Sequence, residues 1–249
     1  MNGLQDLRVK LFADGADLAA MAELAKHSLI KGFTTNPTLM RKAGVADYRQ
    51  FARDVLQLIP DRHVSFEVFS DEFPEMERQA LEIASWGGNV YVKIPVTNTR
   101  GDSSGPLIRR LSAAGVKVNV TAVMTPAQVE AVAGCLAEGT PACVSVFAGR
   151  VADTGRDPVP LMSRSVEILR ARPKAELIWA SPRELLNILQ ADAIGCHIIT
   201  ATSDILAKLS LIGKDLLAFS LETVQMFRQD AVRAGFAIDI REPSDAVVR

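Results

Sequence analysis

A lysine lies inside a short apolar run, Asn89-Val90-Tyr91-Val92-Lys93-Ile94-Pro95. Strand periodicity puts Val90, Val92 and Ile94 on one face and Tyr91 and Lys93 on the other. An ammonium in such a run must be paired, kept in water at the strand end, or neutralised. Burial lowers an amine's pKa, and a neutral amine can attack a carbonyl to form a Schiff base. Other polar residues recur at the ends of neighbouring apolar runs. Ser65 and Glu67 share a face against Val64, Phe66 and Val68. Asn119 and Thr121 stand against Val118, Val120 and Ala122, and Ser145 and Phe147 against Val144, Val146 and Ala148, with Arg150 just beyond. Asp14, Thr34 and Asn36 close the first two runs; Trp179, Ser181 and Arg183 close the seventh.

Singly, each has an ordinary structural reading. Asp14 can cap a turn, Asn36 before Pro37 is turn chemistry, and Thr34 and Thr121 are good strand residues. Ser145 and Ser181 are small and easily satisfied. Arg150 and Arg183 suit surface ion pairs, Phe147 suits the core, and Trp179 suits a lid or a wall. Asn119 in a valine run and Glu67 in an apolar strand are harder to explain, because such groups are rarely buried unpaired. Gathered around one lysine, the set describes chemistry. Lys93 supplies an amine, and Glu67 and Asp14 supply two carboxylates for acid/base work. Asn36, Asn119 and Ser145 can hold hydroxyls, and Arg150 and Arg183 can fork a phosphate. That combination suits a class I aldol reaction on a sugar phosphate.

Bringing these residues together takes an alternation of strands and helices along the whole chain. Strands are predicted at Arg8–Ala13, Ile30–Thr34, His63–Phe69, the lysine run, Lys117–Met124, Ala142–Ala148, Ala175–Ala180 and His197–Thr202. Helices are predicted at Asp17–His27, Ala46–Leu58, Pro74–Ser85, Pro106–Ala114, Pro126–Ala137, from about Asp157 to Ala171, Pro182–Ala191, and from Asp204. Near-continuous apolar strands joined by helices imply a parallel sheet covered on both faces. Eight such units in about 210 residues point to a closed (β/α)8 TIM barrel, an α/β fold. Residues 1–249 read as a single barrel domain, with an extra C-terminal helix at about 214–234 and a tail over 236–249. That helix carries Leu217, Phe219, Leu221, Val224 and Phe227, too apolar for a wholly solvated face, so it is expected to pack on the barrel or on a neighbouring subunit.

Bulk properties exclude several classes. The chain has 249 residues, 48% of them hydrophobic, which suits one large core. Twenty-eight basic against 29 acidic residues leave a net charge of −1, so no global field would hold nucleic acid or an acidic membrane. Cys135, Cys143 and Cys196 form no Cys-x-x-Cys pair, which suggests a reduced, cytosolic protein. The start has no signal-peptide-like run, and no 18-residue apolar stretch follows. His27, His63 and His197 share no metal-ligand spacing. Dinucleotide and P-loop glycine fingerprints are absent. Gly101-Asp102-Ser103-Ser104-Gly105 looks like a serine-nucleophile loop but has no partner histidine.

At the quoted residues the chain resembles the transaldolase family, including its shorter branch of fructose-6-phosphate-aldolase-like proteins. The resemblance covers about Val9 to Leu209. It rests on Phe12-Ala13-Asp14, Gly32-Phe33-Thr34-Thr35-Asn36-Pro37, Val64-Ser65-Phe66-Glu67-Val68, Val92-Lys93-Ile94-Pro95 and Val118-Asn119-Val120-Thr121. Ser145-Val146-Phe147-Ala148-Gly149-Arg150, with Asp153 and Gly155, and Ala180-Ser181-Pro182-Arg183 complete it. The resemblance implies that Lys93 forms the Schiff base, that Asp14 moves the proton on the C4 hydroxyl, and that Glu67 and Thr121 position a water. It implies that Asn36, Asn119 and Ser145, with Thr34 nearby, hold a dihydroxyacetone unit beside Phe147, and that Arg150, Ser181 and Arg183 bind phosphate. No metal or organic cofactor is implied, since the iminium is the electron sink. The resemblance also implies sugar phosphate substrates, a place in the pentose phosphate pathway, and a homo-oligomer with the C-terminal helix in its contacts.

Two positions separate the branches. The aldolase branch resembles a pattern with Gln at 67 and Tyr at 147, whereas this chain has Glu and Phe, the transferase-like choice. The chain also departs from the family. Its loop Thr97–Gly105 is longer than the usual turn, Trp179 precedes Ala-Ser-Pro-Arg, and Leu211–Phe227 matches poorly. A dihydroxyacetone-releasing lyase, a transaldolase for an unusual sugar, and a sugar-phosphate-binding protein without turnover remain the alternatives.

Overall fold

The computed structural model describes residues 4–238. These fall into two compact units, residues 4–210 and 211–238. In the first, eight parallel strands close into a barrel in sequence order, β1 pairing with both β2 and β8. The strands are β1 (Lys10–Asp14), β2 (Ile30–Thr34), β3 (His63–Glu67), β4 (Val90–Pro95), β5 (Val118–Val123), β6 (Ala142–Val146), β7 (Ala175–Trp179) and β8 (Ile198–Ala201). The helices α1 to α10 that clothe them are Leu18–Ala25, Pro37–Lys42, Tyr48–Leu58, Phe73–Ala84, Gly105–Ala113, Pro126–Ala133, Ala148–Ala152, Val159–Leu169, Leu186–Ala193 and Ser203–Leu206. The expected (β/α)8 barrel is therefore the fold observed.

Local chemistry fixes the helix starts. Asp17, Asn36 and Asp47 each accept the backbone N–H three residues on, opening α1, α2 and α3. Thr125 and Gln128 form a capping box at α6. Proline stands in the first turn of α2, α4, α5 and α6, where its missing donor costs nothing.

The core has two layers. Outward-facing residues such as Val64, Phe66, Val92, Val120 and Val144 pack under the helices. Phe12, Cys143, Ile178, Ala180 and Ile198, with Tyr91 and Phe147, fill the barrel interior. Gly32 is required there, because a Cβ at that position would lie 2.5 Å from the Phe12 ring.

Several predicted spans are corrected. The single helix expected from Ala46 is preceded by a separate α2, six residues that follow directly from Asn36-Pro37. The loop expected after β6 begins as the short helix α7. Both are too short to show an apolar stripe. In the second unit, α11 (Leu216–Arg233) is capped by Asp215 and exposes Leu217, Phe219, Leu221, Val224 and Phe227. The expected tail lies outside the described residues from position 239 onward. No helix among the described residues is long and apolar enough to cross a membrane.

Candidate active site

Strand register builds the site. Lys93 on β4 stands opposite Glu67 on β3 and opposite Asn119 on β5, and Asp14 on β1 stands opposite Thr34 on β2. All five side chains point inward because they share parity with Phe12, Tyr91 and Cys143. At the C-terminal end of the strands a cavity of about 670 Å³ opens. Lys93, Asp14, Glu67, Thr121, Thr34, Asn36, Ser145, Phe147, Arg150, Ser181 and Arg183 all line it. Of the polar and aromatic residues that sequence places at the strand ends, Ser65, Asn119 and Trp179 do not.

Lys93 is 6% exposed at the floor. Its Nζ lies 2.9 Å from a Glu67 carboxylate oxygen and donates to the Thr35 carbonyl at 2.7 Å. The charge is thus answered by a half-buried carboxylate, which an ammonium in this position requires. Asp14 accepts from the Thr34 hydroxyl at 2.7 Å, and Thr34 meets Thr200 at 2.6 Å. Burial raises the Asp14 pKa above the ordinary carboxylate value, against the pull of Lys93 and Thr34. The Thr121 hydroxyl is buried and has no hydrogen-bond partner among the described residues. It faces the cavity from a strand that bulges immediately afterward, where Ala122 takes φ 62°.

Asn36 both ends a strand-side loop and borders the cavity. Its Oδ1 caps α2, while its side chain also lines the cavity. Asn119 is fully buried behind that lining. It donates to Ser65 Oγ at 3.0 Å and accepts from Ser145 Oγ at 2.7 Å, so its direct task is to hold Ser145.

The two arginines behave differently. Arg183 forks onto Asp153, with Nε 2.8 Å from one carboxylate oxygen and the terminal nitrogen on the other. That contact holds the Asp153 carboxyl below its usual range, with Arg150 adding to the effect. Arg150 lies over the Phe147 ring, 5.3 Å from its centroid. Ser181 sits between them at φ 58°, and its carbonyl occupies the space a Cβ on residue 149 would need.

Trp179 corrects the sequence reading. It is 0% exposed and packs in the layer under the helices, neither lid nor cavity wall. Strand β7 puts Glu176 and Ile178 on one face and Ala175, Leu177 and Trp179 on the other, so Trp179 shares the outward face of Leu177. The left-handed backbone at Ser181 then breaks the alternation that counting back from Arg183 assumes.

Two residues escaped sequence reasoning. Tyr48 Oη accepts from the Glu67 N–H at 2.8 Å and donates to its carbonyl at 3.0 Å, pinning the end of β3. His63, considered only as a metal ligand, bonds Ser65 at 2.7 Å inside the barrel. A tyrosine on a helix carries no pattern that singles it out, whereas His63 shares the alternation of Ser65 and Glu67, a signal that marks it as inward-facing.

A closed eight-stranded barrel with its chemistry gathered at the strands' C-terminal mouth defines a TIM-barrel enzyme. Its sequence says which kind. The family described as Transaldolase/Fructose-6-phosphate aldolase matches residues 11–242, and the chain belongs to that family. It is 35% identical over 202 residues to a "Probable transaldolase" of Dehalococcoides mccartyi, covering 81% of this chain and 90% of that one. It is 32% identical over 231 residues to a "Probable transaldolase" of Thermoanaerobacter sp., covering 92% and 100%. Among solved structures, KGPDC from Streptococcus mutans superposes with TM-score 0.56 at 11% identity, over 80% of this chain and 90% of that one. At that identity the likeness is one of fold.

Proposed function

We propose that the protein is a Schiff-base transaldolase, moving a dihydroxyacetone unit from a ketose phosphate to an aldose phosphate. The observation that carries this reading is the sheltered Lys93 amine, 2.9 Å from Glu67, on the floor of a cavity that Asp14 and two arginines also line. Lys93 gives up a proton, with Glu67 the adjacent acceptor, and its amine attacks the donor's C2 carbonyl. The carbinolamine loses water to become an iminium, with Glu67 and the unpartnered Thr121 hydroxyl holding the water that leaves and later returns. Asp14 takes the proton of the C4 hydroxyl as the C3–C4 bond breaks, and the electron pair enters the iminium to give an enamine. The first aldose departs. The enamine attacks the acceptor aldehyde, Asp14 returns its proton to the new hydroxyl, and water releases the product ketose from Lys93.

Arg150 and Arg183, with Ser181, receive the phosphate. Arg183 then exchanges part of its fork on Asp153 for the phosphate oxygens. Glu67 and Phe147 favour transfer over release of free dihydroxyacetone, the lyase reading. We assign the protein to the cytoplasm, to the pentose phosphate pathway, and to a homo-oligomer in which the exposed apolar residues of α11 are contacts. Size-exclusion chromatography with and without α11 checks the last point.

Borohydride reduction with fructose 6-phosphate tests the reaction. A covalent adduct on Lys93, absent in Lys93→Ala, is the expected result; an adduct on another residue would end the assignment. Free dihydroxyacetone formed without an acceptor would select the lyase reading.

A further inference from the structure

We propose that His63, at the opposite end of the barrel interior from the cavity, is a positioning residue. It sets which way the Ser145 hydroxyl points its proton, and so makes the cavity select a ligand hydroxyl that donates. The proposal rests on the Schiff-base reading and deepens it, by naming the feature of the donor that the floor of the site recognises.

Four side chains form one line through the barrel. His63 Nε2 lies 2.7 Å from Ser65 Oγ. Asn119 Nδ2 donates to Ser65 Oγ at 3.0 Å, and Ser145 Oγ donates to Asn119 Oδ1 at 2.7 Å. Ser65 and Asn119 are fully buried, so bulk water does not reach their bonds. A hydroxyl carries one proton. Asn119 fills one lone pair of Ser65, and the arrangement that also uses the Ser65 proton sends it to His63, with Nε2 the bare ring nitrogen. At the other end, Ser145 has spent its proton on Asn119. It therefore offers only lone pairs to the cavity it lines.

The two ends are coupled. If the Asn119 amide turned over, it would donate to Ser145, Ser65 would donate to Asn119, and His63 would need its proton on Nε2. Ser145 would then offer a proton to the ligand. As long as every proton in the line is used, the histidine tautomer and the polarity of the cavity floor change together.

The ring is held firmly. Tyr91 stacks on it at 3.7 Å between centroids and 7° between planes, and Phe12 meets it edge-on at 4.9 Å. Burial, helped by Lys10 and Lys117, pushes its pKa down to about 3, so it is a neutral acceptor across the working range.

The test is the rate of borohydride-trapped adduct on Lys93 with dihydroxyacetone and with hydroxyacetone, which lacks one hydroxyl next to the carbonyl. The wild type should prefer dihydroxyacetone by about tenfold, the size of one well-placed hydrogen bond. His63→Phe keeps the aromatic stack but removes the acceptor, and should bring the two rates together. His63→Gln places a carbonyl oxygen near the Nε2 position and should restore the preference. Equal slowing of both donors in His63→Phe, or an unchanged ratio, would overturn the proposal, as would a wild type without preference. If His63→Phe does not fold, Ser65→Ala breaks the same line and must also lose the preference; a retained ratio overturns the proposal. No adduct with either donor in the wild type would instead overturn the Schiff-base reading, and this inference with it.

Discussion

The two ends of the barrel interior treat polar groups in opposite ways. At the N-terminal end, His63 is stacked between rings and its Nε2 is answered by Ser65, which Asn119 answers in turn. At the C-terminal end, the Thr121 hydroxyl has no partner among the described residues, Asp14 is buried against the preference of its charge, and Ala122 and Ser181 hold left-handed backbone. Uncommitted buried polar groups and strained backbone both cost stability. One end spends its polar groups on itself; the other keeps them available. Substitutions that remove polarity should therefore act with opposite sign on activity and stability at the C-terminal end, and substitutions at the N-terminal end should harm stability first.

The largest effect on turnover is expected at Lys93. Lys93→Ala should leave no measurable exchange between sugar phosphates, read by product analysis. Asp14→Asn should come next, slowing turnover by about 10²–10⁴-fold, the usual range for a general acid–base. The same variant should melt at a higher temperature at neutral pH. Burial raises the folded pKa of Asp14, so the group favours folding below its unfolded pKa, and that contribution is lost as pH rises through the folded pKa. An amide escapes the loss. By the same sign, the acid limb of kcat/KM in the wild type should lie above the ordinary carboxylate range, and a limb at the usual carboxylate value would contradict the assignment of Asp14. Melting curves that fall for Asp14→Asn would break the comparison itself.

Arg150→Ala should follow, raising KM for a phosphorylated donor by about tenfold or more while leaving dihydroxyacetone unaffected, since it removes a charge-assisted contact made only to phosphate. Thr121→Val should slow adduct formation by about tenfold and leave the melting temperature unchanged or raised, because it deletes an unpaired buried hydroxyl. The smallest effect on turnover is expected from Phe12→Ala at the other end. It should cost about 3–5 kcal/mol in denaturant unfolding, as large-to-small core changes do. Turnover measured well below the melting temperature should stay within about twofold, a change within the error of most assays. A large kcat change there would erase the distinction between the two ends.

Most of the cavity lining was legible because β3, β5 and β6 alternate strictly, so Glu67, Thr121 and Ser145 announce their face. The register that sets Glu67 and Asn119 on either side of Lys93 was not, since nothing local specifies how far neighbouring parallel strands slide. Asn36 and Asp14 could be placed because they end strands, where barrel loops carry function. Trp179 was misplaced because it was read together with Ser181 and Arg183, across a left-handed residue that breaks the alternation, although Glu176 on the Ile178 side marks the other face as the inward one. Asn119 was read as a ligand contact because parity reports which way a side chain points but not how deep it sits. Tyr48 touches the site only through the Glu67 backbone and leaves no periodic trace; His63 shares the parity of Ser65 and Glu67, but that parity does not say what it bonds.

The close approach of Gly149 to Ser181 makes the arginine-lined end of the cavity a rigid gauge. The turn bearing Arg150 and the turn bearing Arg183 touch backbone to backbone, with no side chain between them to compress or rotate. Neither guanidinium can be carried outward on its own turn without dragging the other. The spacing of the two turns is thereby built into the main chain, and widening this end of the cavity would mean rebuilding two loops together rather than trimming one residue.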